Sequence, residues 1–589
     1  MKQFFKFMFA SMLGFILSWV ALFFLIIIIT VSIVASTTDK TVSVSNNSIL
    51  EITLSNEIVE RAGKNPIENF DFSSMKSSKS LGLYDITTAI KGAAKDDKIK
   101  GIYLNLSDIQ SGIASLEEIR NALIEFKESG KFIISYGETY SQKAYYLATV
   151  ADKIYLNPEG GIDLKGLNAS IMFFKGTLAK LEIEPQIIRH GKFKSAIEPY
   201  ILDKMSPENR EQTMRYMGSI WNDMVKKMSE SRKISESEIN AAADNLLLQF
   251  PDEALKLKYV DGLIYKDELL DIFKTKVEAE KIDDLKFVKL ESYLNSDGAK
   301  ASTAKTKDKI AVVYAVGEIA GGEGSDKSIG SERISREIRN ARLDENIKAV
   351  VLRVNSPGGS ALASEVILRE VILTKKVKPV VVSMGDVAAS GGYYIACHAD
   401  AIVAQPNTIT GSIGVFGMMP NLKKLLNNKL GITIDQVKTN THADYMNLFR
   451  PMDEFEYQSI LRSIERIYDV FIGHVAEGRG VTKEYVDSIG QGRVWSGVDA
   501  KNLNLVDEIG GLDKAIEIAA KKANLEEYRI QFLPLQKEFF EQLMEETQMA
   551  QVSLLQEELG EFYEYYMFLK RTTNDRGIQA RLPYLIHID

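Results

Sequence analysis

Residues 380–399 read VVVSMGDVAASGGYYIACHA, and this stretch decides the fold of the region around it. Its β-branched run predicts a strand, and the segment that opens at Ser390, Gly391 and Gly392 has helical spacing. The stretch therefore predicts a strand, a sharp turn and a helix. A serine in that turn stands at a helix N-terminus beside backbone N–H groups, which suits a nucleophile whose product is an oxyanion. An ordinary serine N-cap, with glycines for the turn, is the alternative.

The region around this stretch repeats an earlier part of the chain. DKIKGIYL at 97–104 corresponds to ENIKAVVL at 345–352, an offset of 248 residues. The same offset carries SYGE at 135–138 onto SMGD at 383–386. Because the register holds over many residues, it indicates a tandem duplication.

Short apolar segments alternate with longer helical ones, which predicts an α/β architecture in each half. A stretch rich in Ser, Thr, Ala, Gly and Lys predicts a linker between the halves. The predicted organisation is a membrane anchor at 1–38, an N-terminal domain at 45–294, the linker at 295–309, a C-terminal domain at 310–525 and a helical segment at 526–589. Within that last segment, Gln536 to Lys570 interleaves Glu and Gln with aromatic residues. It is interpreted as a helix packed on the domain, with a subunit contact or a cleft cover as alternatives.

The N-terminus predicts a membrane anchor. Phe7 to Ala35 is apolar, and no charged residue follows Lys6 until Asp39, so the run is long enough to cross a bilayer with some tilt. A cleavable signal peptide is the alternative, because 34–36 resembles a cleavage site, but the apolar run is about twice as long as a signal h-region. Lys2 and Lys6 keep the short flank in the cytoplasm and place the rest of the chain outside.

The charge composition of the chain argues against nucleic acid as a partner. The 589 residues carry a formal net charge of −8 at pH 7 and no dense Lys/Arg run, so nucleic acid is not an expected partner. A chain of this length requires at least two domains. The single cysteine, Cys397, cannot form an internal disulfide and is expected to be a small core residue.

The nucleophile and its glycine loop occur in only one copy of the repeat. At the position of Ser390 the first half has Gln142. Opposite Pro-Gly-Gly at 357–359 the first half has Ile-Gln-Ser at 109–111. The C-terminal half is therefore the half that carries the candidate nucleophile.

The residues alone do not decide whether a histidine or a lysine is the base that activates Ser390. A hydroxyl is a poor nucleophile until a base takes its proton, and histidine is the usual partner. Of the five histidines, only His442 lies at a position that the repeat relates to a candidate base. When the two halves are aligned, Lys194 of the first half corresponds to Thr441 or, with a one-residue gap, to His442. A lysine acts as a base only when neutral, which requires its pKa to fall by about three units, on the order of 4 kcal/mol. Burial at a dry domain interface supplies that shift.

Four motifs taken together closely resemble the long, duplicated form of signal peptide peptidase A. The motifs are NSPGG at 355–359, AASGGY at 388–393, TGSIG at 410–414 and FKSA at 193–196. That family consists of membrane-anchored bacterial serine proteases with a Ser/Lys dyad on a ClpP/crotonase-like fold. The resemblance covers the chain from the anchor to about residue 524.

The resemblance implies a role for each matching residue. Ser390 corresponds to the nucleophile, and Lys194 to its general base, contributed by the opposite half. Ser412 corresponds to the serine that orients the lysine amine. The N–H groups of Gly358 and Gly391 are the expected oxyanion donors. No cofactor and no metal is implied.

The resemblance also implies a substrate class, a cellular location and an oligomeric state. The expected substrates are signal peptides left in the membrane after secretion. The chain is expected in the bacterial cytoplasmic membrane as a single-pass protein, with its N-terminus in the cytoplasm and its catalytic region outside. It is expected to form a ring of identical chains, a homotetramer.

Two other classes of function stay open. Crotonase-type acyl-CoA enzymes share the fold and also use paired N–H groups for an oxyanion, but an anchor and an external domain argue against them. A non-catalytic membrane-anchored scaffold requires Ser390 and Lys194 to be incidental. A Ser/His/Asp protease of the ClpP kind is disfavoured, because no histidine follows Ser390 at the spacing of that family.

Overall fold

The computed structural model describes residues 43–63, 80–299 and 305–536, with short pieces at 6–7, 11–15, 17–19, 22, 70–71, 76–77 and 579–581. The predicted anchor at 1–38 lies mostly outside the described residues. Within the described parts of the chain, no helix is both long enough and apolar enough to span a bilayer. The predicted helix at 536–570 also lies outside the described residues, apart from its first position.

The N-terminal half is built on a six-stranded sheet in which every neighbouring pair is parallel. Its central strands are nearly continuous runs of buried apolar residues, as expected where helices cover both faces of a parallel sheet. In spatial order the strands are Gly262–Leu263, Lys153–Leu156, Phe132–Gly137, Ile99–Asn105, Ser48–Ile52 and Lys286–Lys289.

The C-terminal half contains a larger sheet of the same kind, with eight strands among the described residues. Its pairs are parallel except for the pair at one edge, where Val494–Ser496 runs against Ile409–Gly411. In spatial order the main path is Val494–Ser496, Ile409–Gly411, Val380–Ala389, Ile347–Ser356, Lys309–Val316 and Arg529–Leu533. Ala401–Ala404 branches from Val380–Ala389 and pairs in turn with Glu508–Ile509.

The edge strand Arg529–Leu533 corrects the prediction of a helical segment that begins at 526. It pairs in parallel with Lys309–Val316. Its apolar residues alternate, and Ile530 and Phe532 pack against the apolar cluster on one face of the sheet. This period of two matches a strand and not a helix.

The predicted duplication is confirmed element by element. In two pairs of helices the partners have equal lengths and begin 248 residues apart in the chain. In a third pair, both helices have 26 residues and begin 247 residues apart. The alignment of the two halves therefore contains a one-residue gap before this third pair. The matched helices are Leu83–Lys95 with Ser331–Leu343, Ile113–Lys127 with Ala361–Lys375, and Pro207–Arg232 with Glu454–Arg479.

A third sheet joins the two halves. In spatial order its strands are Gly324–Ser325, Ser328–Gly330, Glu318–Ala320, Gly358–Ser360, Gln579–Arg581, Phe416–Asn421 and Glu184–Arg189. Glu184–Arg189 belongs to the N-terminal half, yet it pairs antiparallel with Phe416–Asn421 over six residue pairs. The residues that follow Arg189 are thereby carried into the C-terminal half.

Shorter elements complete the described fold. Two small strand pairs are Ile58–Val59 with Leu81–Gly82 and Phe70–Asp71 with Lys76–Ser77. The remaining α-helices are Gln142–Ala148, Lys175–Lys180, Glu198–Ile201, Glu236–Asp244, Pro251–Lys256, Lys266–Lys276, Leu290–Tyr293, Gly391–Ala396, Lys483–Ile489, Gly497–Asn502 and Leu512–Lys522. Short 3₁₀ turns are Ser195–Ile197, Leu247–Gln249 and Ile282–Asp284, and Leu425–Lys429 is a π-helical turn.

A buried ion network fastens the two halves to each other. Arg353, on strand Ile347–Ser356, is fully buried. It donates to Glu60 Oε2 at 2.8 Å and to Glu118 Oε1 at 2.7 Å, and both carboxylates belong to the N-terminal half. Burial raises the pKa of the Glu118 carboxyl against the opposing effect of the guanidinium. The two acidic groups therefore depend on Arg353 for their stability in the interior.

Arg353→Met is expected to lower the free energy of unfolding by about 3–5 kcal/mol, because it leaves two buried carboxylates without their cation. Urea unfolding followed by circular dichroism measures the change. Arg336→Met is the matched control, since Arg336 also makes a two-pronged pair, with Glu323, but both side chains are about half exposed. Its loss is expected to cost less than about 1 kcal/mol. Equal losses in the two variants would contradict the role of Arg353.

Candidate active site

Ser390 occupies the turn between strand Val380–Ala389 and helix Gly391–Ala396, as the sequence predicts. Its φ of 57° and ψ of −115° form a conformation that a residue with a side chain rarely adopts. Two backbone hydrogen bonds hold it there: Ser390 N–H donates to the Gly411 carbonyl at 2.8 Å, and the Ser390 carbonyl accepts from Tyr394 N–H at 2.8 Å. A strained residue held from both sides is typical of a functional position.

Lys194 reaches Ser390 from the other half of the chain. It follows strand Glu184–Arg189, immediately precedes the turn Ser195–Ile197, and is fully buried. Its Nζ lies 2.8 Å from Ser390 Oγ, although the two residues are 196 positions apart in the sequence. The structure thus brings together the serine and the lysine that the sequence analysis named.

Ser412 also lies at hydrogen-bond distance from the lysine amine. Lys194 Nζ is 3.1 Å from Ser412 Oγ and 3.2 Å from the Ser412 carbonyl oxygen. The Ser412 backbone has a φ of 49°, and its N–H donates to the Arg493 carbonyl at 2.7 Å. Ser412 is fully buried, and its predicted role in orienting the lysine amine stays a prediction.

The two predicted oxyanion donors lie on adjacent segments. Gly391 is the first residue of its helix, so its N–H has no acceptor within that helix. Gly358 has a φ of 102°, and its N–H donates to Ser356 Oγ at 3.1 Å. The loop that carries Gly358 packs against the start of the helix, since a Cβ on Gly392 would lie 2.8 Å from the Ser356 carbonyl oxygen. The oxyanion roles of both glycines stay predictions.

Two residues that the sequence analysis did not name position the loop around Lys194. Gly492, with a φ of 86°, lies so close that a Cβ there would be 2.6 Å from Lys194 Cα. Gln212 is fully buried and donates to the Phe193 carbonyl at 3.1 Å, while its Oε1 accepts from Val494 N–H at 3.1 Å. Their sequence context gives no signal of this role, because Gly492 contacts Lys194 of the other half and Gln212 links Phe193 of its own half to Val494 of the other.

His442, the alternative base, is not joined to Ser390 by any hydrogen bond among the described residues. Its ring stacks on Phe455, with centroids 4.3 Å apart, near the start of helix Glu454–Arg479. Cys397 is buried in the core, as predicted, and burial raises the pKa of its thiol. Neither residue contributes to the site around Lys194 and Ser390.

A serine at a helix N-terminus with a lysine amine at hydrogen-bond distance is the arrangement of a serine hydrolase that does not rely on histidine. Residues 125–280 and 372–526 match Peptidase family S49. The chain belongs to this family, with the family's domain present twice, and it is a serine peptidase.

Two relatives support this assignment. "Protease 4" of Haemophilus influenzae is 38% identical over 462 residues, which cover 76% of this chain and 74% of that protein. "Serine protease SPPA, chloroplastic" of Arabidopsis thaliana is 34% identical over 454 residues, which cover 76% of this chain and 66% of that protein. Among solved structures, ClpP1 from Listeria monocytogenes aligns with 34% of this chain and 91% of its own, at 18% identity and a TM-score of 0.22.

Gly492→Ala is expected to lower kcat for peptide cleavage by about 10²-fold, because the new methyl group displaces Lys194 and a misplacement of about 1 Å has that effect. Cleavage of an apolar fluorogenic peptide measures the rate. Gly322→Ala is the control: its φ of 80° imposes the same backbone strain, but nothing lies within 4 Å of a Cβ there. It is expected to keep the parent rate. Equal rates in the two variants would contradict the packing role of Gly492.

Proposed function

We propose that the protein is a membrane-anchored endopeptidase that cleaves peptides with a Ser390/Lys194 dyad through an acyl-enzyme. One observation carries the proposal: the amine of the buried Lys194 lies 2.8 Å from Ser390 Oγ. That distance allows direct proton transfer between the two groups. Membership of a peptidase family supports the reaction type.

Acylation starts with the transfer of the Ser390 proton to neutral Lys194 as Oγ attacks the scissile carbonyl carbon. Burial favours the neutral form of a lysine. A neutral amine that donates to Ser412 Oγ and to the Ser412 carbonyl keeps its lone pair for the proton of the Ser390 hydroxyl. Ser412 thereby orients the base.

The tetrahedral intermediate carries its negative charge on the former carbonyl oxygen. The N–H of Gly391 at the helix N-terminus and the N–H of Gly358, once released from Ser356 Oγ, are the proposed donors to that oxygen. One such donor contributes about 10²–10³ in kcat. The intermediate then collapses: its C–N bond breaks, and Lys194 gives the proton to the leaving amine nitrogen. Water attacks the acyl-enzyme with Lys194 again as base, which frees the carboxyl product and restores Ser390.

The proposal also covers the domain organisation, the cellular location, the oligomeric state and the substrate class. Domains at 45–294 and 310–525 are joined by the linker at 295–309, and the anchor at 1–38 holds them outside the cytoplasmic membrane of a bacterium, in a homotetrameric ring. The substrates are apolar signal-peptide remnants that bind as extended strands. The apolar run at 7–35 and Lys2 and Lys6 before it support this topology.

An assay of purified full-length protein tests reaction and substrate class together. A synthetic apolar signal peptide and a polar peptide of equal length are incubated with the parent and with Ser390→Ala. We expect the apolar peptide to be cleaved at least about tenfold faster by the parent and the variant to be inactive. Equal rates for the two peptides would contradict the substrate class. Turnover of an acyl-CoA without peptide cleavage would favour the crotonase-like alternative.

A further inference from the structure

Two histidines and a glutamate of the C-terminal half form a cluster that the proposed chemistry does not use. A ring nitrogen of His398, a ring nitrogen of His474 and a carboxylate oxygen of Glu477 lie within 4.8 Å of one another. The two imidazole rings meet edge to face, with their centroids 5.4 Å apart. Imidazole nitrogens together with a carboxylate oxygen are a set of donors that bind transition metals.

The His398 ring is buried and not fully used by the protein. His398 is 6% exposed, and its Nε2 has no hydrogen-bond partner among the described residues. Burial lowers the pKa of this ring, so it is neutral at pH 7 and carries a lone pair. Buried polar side chains in folded proteins have partners with few exceptions, and a bound ion is one explanation of an exception. The ring therefore points to a ligand of the cluster.

The other two members of the cluster lie on one helix. His474 and Glu477 are three residues apart on helix Glu454–Arg479, so their side chains project from the same face. Glu365 Oε2 lies 3.1 Å from His474 Nε2 and accepts the Tyr394 hydroxyl at 2.6 Å. A carboxylate behind a histidine fixes the orientation of the ring, and such carboxylates are usual around metal-bound histidines.

The backbone at His398 is held against the same helix. Lys375 Nζ donates to the His398 carbonyl oxygen at 2.9 Å. Gly478, on the helix, comes so close to the Cys397 carbonyl oxygen that a Cβ there has no room. These contacts keep the His398 ring opposite the two donors on the helix.

The donor set and the spacing fit zinc. Zn²⁺ binds imidazole nitrogen at about 2.0–2.1 Å and carboxylate oxygen at about 2.0–2.2 Å, in a tetrahedral arrangement. Donors on such a tetrahedron are about 3.4 Å apart, so side-chain rotations of about 1 Å close the cluster around the ion. Glu477 is exposed, which gives the ion access from solvent and lets water take the fourth position. Mg²⁺ and Ca²⁺ prefer oxygen donors and do not fit the two imidazoles.

We propose that His398, His474 and Glu477 bind Zn²⁺, which joins helix Glu454–Arg479 to the residues that follow helix Gly391–Ala396. The two helices already pack on each other, and the ion fastens the end of that contact. A ligand that binds only the folded chain stabilises it by mass action. This structural role goes beyond the proposed peptidase function and does not depend on it.

Isothermal titration calorimetry tests the site with Zn²⁺ and the untagged full-length protein, after EDTA has removed bound metal. Glu477→Gln and His398→Gln are each expected to weaken zinc binding by about tenfold or more, because each removes a ligand. Glu477 is exposed, so its variant keeps the fold even where a change at the buried His398 disturbs it. Zinc affinity in Glu477→Gln equal to that of the parent, or no zinc binding by the parent, would overturn the proposal.

His442→Gln is the matched control. His442 lies in a similar cluster with Asp453 and Glu456, but the Glu456 carboxylate is already paired with Arg450. The variant is expected to keep the zinc affinity of the parent. A loss of affinity in His442→Gln with none in Glu477→Gln would place the ion in the wrong cluster for this proposal.

Thermal unfolding and X-ray absorption examine the effect of the ion and its ligands. With Zn²⁺ about 100-fold above its Kd, the parent Tm is expected to rise by about 4 °C or more, and that of Glu477→Gln by half as much or less. Mg²⁺ at the same concentration is expected to leave Tm unchanged, and an equal rise with Mg²⁺ would contradict the donor set. The zinc absorption edge is expected to show nitrogen and oxygen ligands at about 2.0–2.1 Å. A sulfur ligand at about 2.3 Å would assign the ion to Cys397 and overturn the proposal.

Discussion

Ser390→Ala is expected to lower kcat for peptide cleavage by about 10⁴-fold or more, because it removes the hydroxyl that we propose as the nucleophile of the acyl-enzyme. The residual rate comes from the oxyanion donors and from substrate binding. Steady-state cleavage of an apolar fluorogenic peptide gives kcat and KM. Mass spectrometry of the intact protein, quenched during turnover, is expected to detect an acylated form in the parent and none in the variant.

Ser335→Ala is the matched control for this result. Ser335 is a serine of the same half, 3% exposed, and lies in helix Ser331–Leu343 away from Lys194. Its replacement is expected to leave kcat within about threefold of the parent, because Ser335 Oγ donates to the Val366 carbonyl oxygen at 3.4 Å and has no role in the proposed chemistry. If Ser390→Ala kept a tenth or more of the parent kcat, the proposed nucleophile would be wrong.

Lys194→Met is expected to lower kcat by about 10³-fold or more, since a positioned general base contributes about 10²–10⁴. Methionine has a similar length and shape, so it fills the buried space of the lysine stem without the amine. The fold is expected to keep its stability, because the variant no longer buries a polar head group. Thermal unfolding followed by circular dichroism checks the fold, and the peptide assay gives the rate.

Two controls separate the base from its surroundings. Lys192→Met makes the same replacement two residues upstream on an exposed side chain, and it is expected to retain the parent rate. His442→Ala is also expected to retain it, because the His442 ring stacks on Phe455 and makes no hydrogen bond to Ser390 among the described residues. A loss in His442→Ala as large as that of Ser390→Ala, with the fold intact, would restore a Ser/His mechanism.

The parts of the fold that follow from local pattern were predictable. The β-branched run at 380–382 predicts the strand Val380–Ala389, and the offset of 248 predicts that each half repeats the same helices. These signals depend on neighbouring residues or on direct comparison within the chain. The prediction of a helical segment from 526 is wrong at Arg529–Leu533, where the short alternation of apolar residues indicates a strand, and its pairing with the distant strand Lys309–Val316 depends on the tertiary fold.

Some residues of the candidate site could be predicted from the sequence, and others could not. The turn at Ser390 is encoded by its own neighbours, and the comparison of halves placed a unique lysine at 194. The residues alone do not decide between Lys194 and His442 as the base, and the resemblance to a known family favours the lysine. Gln212 and Gly492 escaped prediction because each is defined by a contact with the opposite half.

The sequence by itself determined the duplication, the strand-turn-helix that presents Ser390, and the restriction of the serine and the lysine to different copies. The strand-turn-helix arises from propensities and periodicities over a few residues, and the other two properties follow from comparison of the two halves of the chain. Tertiary structure decided that Lys194 Nζ lies 2.8 Å from Ser390 Oγ and that strand Gln579–Arg581 lies between Gly358–Ser360 and Phe416–Asn421 in the third sheet. Both depend on strands from distant parts of the chain meeting in one sheet, because Glu184–Arg189 carries Lys194 across when it pairs with Phe416–Asn421.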